Sequence, residues 1–182
     1  GLELANVALT TKRVGDLAAT VADNASRMGQ RSNGLSVRQI SEAEINDVFT
    51  GADLQADLSD FGANGRIILS SLQRNADGGQ WIAWQRCFGH NGIGSSYGIE
   101  GVGATGTSFA GMGPPGNTVQ APTGTALMVV EVHYNYEPFF PLFSLPAQTM
   151  TEFAVFNVRE LRDLAAPRNA ENVEVASCEV EI

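Results

Sequence analysis

The first thirty positions place Leu4, Val7, Thr11, Val14, Leu17, Ala18, Val21, Ala25 and Met28 three or four residues apart with no proline between them. That is the period of one face of an α-helix. The spacing predicts a single helix over residues 2–29, about 40 Å long at 1.5 Å per residue. Lys12 with Asp16 and Asp23 with Arg27 are four apart on its outer side, which gives it a wet face. The apolar stripe, led by Leu4, Val7, Val14, Leu17 and Val21, has to lie against something, and a sheet of the same chain is the first expectation. At its start Leu2, Leu4, Ala5, Val7, Ala8 and Leu9 are apolar almost all round. The expectation there is a helix that continues upstream into a more apolar segment.

A second helix is expected after Ser41. Ser41 and Glu44 have the spacing of a capping box, Ile45, Val48 and Phe49 supply the buried face, and Gly51 supplies the stop. The period then changes to two. Residues 66–74 and 80–88 read as strands joined by Asn75-Ala76-Asp77-Gly78-Gly79, which has hairpin-loop chemistry. In residues 125–136 the side chains Ala126, Met128, Val130, Val132, Tyr134 and Tyr136 share one face, and Glu131, His133 and Asn135 share the other. A sheet with one buried and one wet side gives that alternation. Residues 149–159 make the fourth strand. The fold class expected is α+β, a long N-terminal helix packed on a four-stranded antiparallel sheet. It forms one domain over 1–182: the helix (1–30), a hairpin (64–88), a glycine-rich excursion (89–124), a strand pair (125–159) and a C-terminal segment (160–182).

Both interruptions of the sheet are unusual. Residues 89–124 hold eleven of the twenty glycines together with Pro114, Pro115 and Pro122. That is too long for a plain connection and reads as too polar for a core. Between Pro138 and Pro146, the residues Phe139, Phe140, Leu142, Phe143 and Leu145 are large and apolar where proline forbids regular structure. They are either tucked against the domain or form a contact patch, for which Phe139, Phe140, Leu142 and Phe143 are the candidates.

Charge narrows the partners. The net charge is -9, with a single lysine, Lys12, and residues 32–182 alone carry -10. A phosphate-binding surface needs clustered cations, so nucleic acid is excluded as the expected partner. The two cysteines, Cys87 and Cys178, are 91 positions apart and lack the neighbours of a zinc site. They leave a disulfide, which would imply an extracytoplasmic home, or two separate buried thiols; the disulfide is the simpler.

No active site is visible. Gly101-Val102-Gly103-Ala104-Thr105-Gly106 spells the dinucleotide fingerprint, yet no strand precedes it and no helix follows. Around Ser108 the sequence is only a partial nucleophile elbow, without its last glycine, and His90 and His133 are the only histidines that could serve it. Glu42, Glu44, Asp47, Asp53, Asp57 and Asp60 do not have EF-hand spacing and read as a solvated acidic face. Asn24-Ala25-Ser26 is a glycosylation sequon inside the expected helix and is discounted for that reason. Trp81, Trp84, Tyr134, Tyr136, Phe153 and Phe156 have strand spacing and read as core. No cofactor or metal is expected.

Several stretches carry a family resemblance: Gly1-Leu2-Glu3-Leu4-Ala5-Asn6 leading to Arg13, residues 21–27, Gln80-Trp81-Ile82-Ala83-Trp84-Gln85-Arg86-Cys87, residues 130–138 with their tyrosines and closing proline, and Phe156-Asn157-Val158-Arg159 with Arg162-Asp163. Together they resemble the TadE-like pilus-assembly proteins of the bacterial tight-adherence (Tad) system, which look like minor pilins or pseudopilins. The resemblance implies a pilin-like fold and a non-enzymatic role in starting or building an adhesive pilus. It also implies a periplasmic domain anchored in the inner membrane by an N-terminal helix that this chain lacks, with other pilin or pilus-assembly subunits as partners. The alternative expectation is a secreted module whose glycine-rich excursion holds a carbohydrate or calcium.

Overall fold

The computed structural model describes residues 2–29, 39–58, 60–90, 92–138, 147–158 and 163–179. In chain order its elements are α1 (Leu2–Arg27), β1 (Gln39–Ser41), α2 (Glu42–Gln55), a single turn α3 (Phe61–Asn64), β2 (Gly65–Arg74), β3 (Gln80–Phe88), β4 (Leu127–Tyr136), β5 (Gln148–Asn157) and β6 (Asp163–Arg168). The class is α+β, with the N-terminal helix against a four-stranded antiparallel sheet of order β3-β2-β4-β5.

Local chemistry explains several boundaries. The capping box at Ser41 forms as its spacing predicts: the hydroxyl accepts from the Glu44 backbone N–H, and the Glu44 carboxylate accepts from that of Ser41. Gly51, however, does not end α2, which runs on to Gln55. An interior glycine costs only about 1 kcal/mol relative to alanine, and burial of Ala52 and Ala56 beyond it holds the last turn in place. In the hairpin loop, the Asn75 side chain accepts from the N–H groups of Asp77 and Gly79, while Gly78 takes a positive φ.

The helix packs across β4 and β5. Val14, Leu17, Ala18, Val21, Ala22 and Ala25 are buried against Ile67, Leu69, Trp84, Met128, Val130 and Val132, with Ile45 and Phe49 of α2 completing the core. Val7 is half-buried at its margin, but Leu4 is 62% exposed and belongs to no core. The packed stripe begins further along the helix than its period suggested, because periodicity shows which face is apolar and not how far the sheet reaches.

Two further expectations change. The second face of β4 is not wet: Glu131 and His133 are 0% and 2% exposed. Residues of the 89–124 excursion lie over that face and build a second core, in which Met112 and Ala121 join Leu72, Ile82, Leu127 and Val129, with Tyr97, Val102 and Phe109 packed around them. The excursion thus contributes a core, despite its polarity, because Tyr97, Val102, Phe109, Met112 and Val119 turn to the sheet, while Ile99 stays exposed. Glycine permits the close approach: a Cβ on Gly103 (φ +77) would sit 2.2 Å from the Gln80 carbonyl oxygen, and one on Gly111 (φ +119) 2.1 Å from that of Val119. Second, β1 pairs with β6 in parallel as a separate two-stranded sheet. Neither strand was expected, since three residues are too few for a period and β6 contains Pro167.

Candidate assembly surface

The first turns of α1 are fastened to the end of β4 by polar contacts. Tyr136 is 3% exposed; its hydroxyl donates to Glu3 Oε1 and accepts from Asn6 Nδ2 at 2.7 Å. One turn on, the Thr11 hydroxyl meets Met150 Sδ at 3.6 Å. Arg13 reaches the turn after α2, with Nη2 2.7 Å from Asp57 Oδ2 and Nη1 donating to the Asp57 carbonyl. Between these anchors lies an open groove of about 370 Å³, lined among others by Asn6, Thr10, Asn64, Tyr134, Tyr136 and Glu137.

Away from those anchors the same turns face outward. Leu2, Leu4 and Leu9 are 83%, 62% and 46% exposed, and Ala5 and Ala8 between them are exposed too. At 100° per residue these five cover about 160° of the helix surface without a charge. Of the five stripe residues, Val14, Leu17 and Val21 go to the core, Val7 to its edge and Leu4 to this outer face. The candidate patch Phe139, Phe140, Leu142 and Phe143 lies outside the described residues. No helix among those residues is long and apolar enough to cross a membrane.

All three tyrosines, Tyr97, Tyr134 and Tyr136, have hydroxyls held above their ordinary value of 10. Burial is the first cause in each. The Glu131 charge adds to it at Tyr97, and the charges of Glu137 and Asp60 do so at Tyr134. At Tyr136 the hydrogen bond to Glu3 also raises the value, against the opposing bond from Asn6. A raised value means the folded state holds these protons more tightly than the unfolded chain. Their contribution to stability is therefore complete below about pH 10 and is lost as the pH rises through the folded values. The melting temperature should fall steeply above pH 10, and tyrosinate absorbance of the folded protein should rise only above that pH. Tyrosinate appearing at the ordinary value before any unfolding would contradict the buried hydroxyls.

The groups suspected of chemistry are arranged as structure. Ser108 is exposed, whereas His133 is buried with its Nδ1 3.0 Å from the Thr151 hydroxyl. The serine that meets an acid is Ser95, whose hydroxyl donates to Glu131 Oε1 while the Ser96 N–H donates to Oε2 at 2.8 Å. Glu131 stands between Ser95 and His133, whose Nε2 is 3.7 Å from Oε2. A hydrolytic relay needs the histidine in the middle. The acidic run is not a uniform solvated face either. Glu42 is 2% exposed and bound by Arg86, and Glu44 closes the capping box. Among the described residues no group of three or more His, Cys, Asp or Glu side chains is placed to hold a metal.

Cys87 and Cys178 are joined in a disulfide. It ties the C-terminal segment to β3, beside the backbone bond from Cys87 N–H to the Ala176 carbonyl and the bond from Arg66 Nη2 to the Cys178 carbonyl. Burial lowers the Arg66 value from that of a free guanidinium. Sequence reasoning missed the Glu3–Asn6–Tyr136 lock and the Ser95–Glu131 contact, because both join positions more than thirty residues apart. Compared with protein-family models, curated proteins and solved structures, the chain matches none.

Proposed function

We propose that this chain is a non-enzymatic pilus-assembly domain, similar to the TadE-like minor pilins, which helps to start or build an adhesive tight-adherence pilus. One observation carries the reading: α1 is divided. From Val14 onward its apolar residues other than Ala19 go to the core, while Leu2, Leu4, Ala5, Ala8 and Leu9 offer an uncharged apolar face to an outside partner. In the proposal that partner is the helix of another pilin or pilus-assembly subunit, and the helix continues upstream into the inner membrane. The disulfide supports a periplasmic home, since such bonds persist in oxidising compartments.

The test separates the two parts of α1. In the full-length protein expressed in its own host, Leu4→Glu and Leu9→Glu are expected to reduce surface pili several-fold by electron microscopy. The purified domain should keep its melting temperature, because neither side chain is in the core. Leu17→Ala, by contrast, should destabilise the isolated domain by about 2–5 kcal/mol through lost burial and the cavity left behind. Normal piliation in both glutamate variants would overturn the proposal.

A further inference from the structure

The two edges of the main sheet are treated differently. Beyond β3, the Ile82 N–H donates to the Val102 carbonyl, the Gly101 N–H to that of Ile82, and the Cys87 N–H to that of Ala176. The excursion and the C-terminal segment cover that edge. Beyond β5, no backbone group of the described residues bonds to the strand. Of the described residues that follow β5, β6 lies near β3, and the Gln73 side chain of β2 donates to the Leu164 carbonyl.

The phase of the open edge follows from one bond. The Val158 N–H donates to the Ala126 carbonyl in register with the β4–β5 pairing. In an antiparallel ladder, residues that exchange bonds with their opposite number alternate with residues that do not. Met150, Glu152, Ala154 and Phe156 therefore bond to β4, and Thr149, Thr151, Phe153 and Val155 point their N–H and C=O groups outward. The pairing is unbroken over all ten residues of β5, without the register shift seen between β2 and β3. Edge strands are ordinarily blunted by lysine, proline, a bulge or a short length. Residues 148–157 contain no proline and no lysine, and their single ionisable side chain is Glu152. Both faces of the strand are occupied, by α1 on one side and by Tyr97, 5.2 Å from Phe153 between ring centroids, on the other. What is open is the rim, and a rim of unpaired backbone groups accepts another strand.

We propose that the β5 edge is a strand-addition site for an extended, non-acidic segment of a partner protein that carries a cation opposite Glu152. Main-chain hydrogen bonds to Thr149, Thr151, Phe153 and Val155 would give the affinity and alternate side chains the selectivity. Charge chooses this occupant over a second copy of the chain. Two copies would bring together bodies of charge -9 each, whereas a lysine or arginine beside Glu152 is complementary. The inference does not depend on the pilus reading.

The probe is the peptide acetyl-Thr-Val-Thr-Val-Lys-Val-Thr-amide, whose lysine falls opposite Glu152 when its central valine is opposite Phe153. Titrated into the intact chain, it should slow amide exchange at Thr151, Phe153 and Val155, the outward amides it spans in that register, and leave the neighbouring, already bonded amides unchanged. Val155→Pro removes an outward N–H without removing a bond to β4 and should weaken binding at least tenfold. Glu152→Lys should weaken it as well, and the same peptide with glutamate in place of lysine should restore it, which keeps the test informative if the proline variant folds poorly. No binding at millimolar peptide, or binding without protection of the outward amides, would overturn the proposal. So would concentration-dependent dimers of the chain alone that Val155→Pro abolishes, since they would assign the edge to a second copy.

Discussion

Replacing Cys87 and Cys178 together by serine should lower the unfolding free energy by about 4–5 kcal/mol. The bond closes a loop of 91 residues, and in the chain-entropy model a cross-link of that span removes this much freedom from the unfolded ensemble. The loss should concentrate at the C-terminal segment. Once the bond is gone, residues 163–179 are held by scattered contacts: the β1–β6 pairing, Asn46 to the Glu174 carbonyl, Gln73 to the Leu164 carbonyl and the backbone bond at Ala176. Urea unfolding of the oxidised, reduced and double-serine forms checks the size, and amide exchange checks the location. A loss below about 1 kcal/mol would show that the unfolded chain is already compact enough for the cross-link to constrain little.

The second large effect is expected at Arg86. Its Nε and Nη2 grip the Glu42 carboxylate at 2.6–3.1 Å, and its Nη1 reaches Glu100 at 3.0 Å. One guanidinium thereby joins β3 to the first turn of α2 and to the excursion on the far side of the sheet. Burial alone would lower the Arg86 value, but the hydrogen bonds and charges of Glu42 and Glu100 outweigh it and hold the value above that of a free guanidinium. The Glu42 side chain is 3% exposed, so Arg86→Ala leaves a buried carboxylate without its cation. Such a change costs about 3–5 kcal/mol. The double change Arg86→Met with Glu42→Leu should recover most of the loss, because an apolar pair of similar volume needs no charge compensation. If the double variant is as unstable as Arg86→Ala, lost packing rather than a stranded charge is responsible.

Glu42 and Glu131 show where one-dimensional reading stops. Each carboxylate lies in a stretch that reads as a solvated face, and each is buried because a distant segment supplies its partners: Arg86 for Glu42, Ser95 and Ser96 for Glu131. A carboxylate's burial depends on what comes to cover it, and no local pattern records that. The excursion makes the same point for apolar groups. Tyr97, Val102, Phe109, Met112 and Val119 have no period, yet each turns toward the sheet where glycine backbone lets the chain lie close. Of the candidate assembly surface, the apolar opening of α1 was legible, and the point at which its stripe leaves the core was not.

By itself, the order of residues determined what depends on near neighbours: the extent of α1, the Ser41–Glu44 cap, the Asn75 turn, and the four long strands that the main sheet contains. Period and capping act within a few residues, so the chain carries them locally. Only the tertiary structure decided that both faces of the sheet are covered, that Leu4 stays outside while Val14 goes in, that β1 finds β6, and that among the described residues no backbone group bonds the outer rim of β5. Those outcomes depend on which remote segments compete for the same surface, and the free energy of covering it is settled by the whole fold at once.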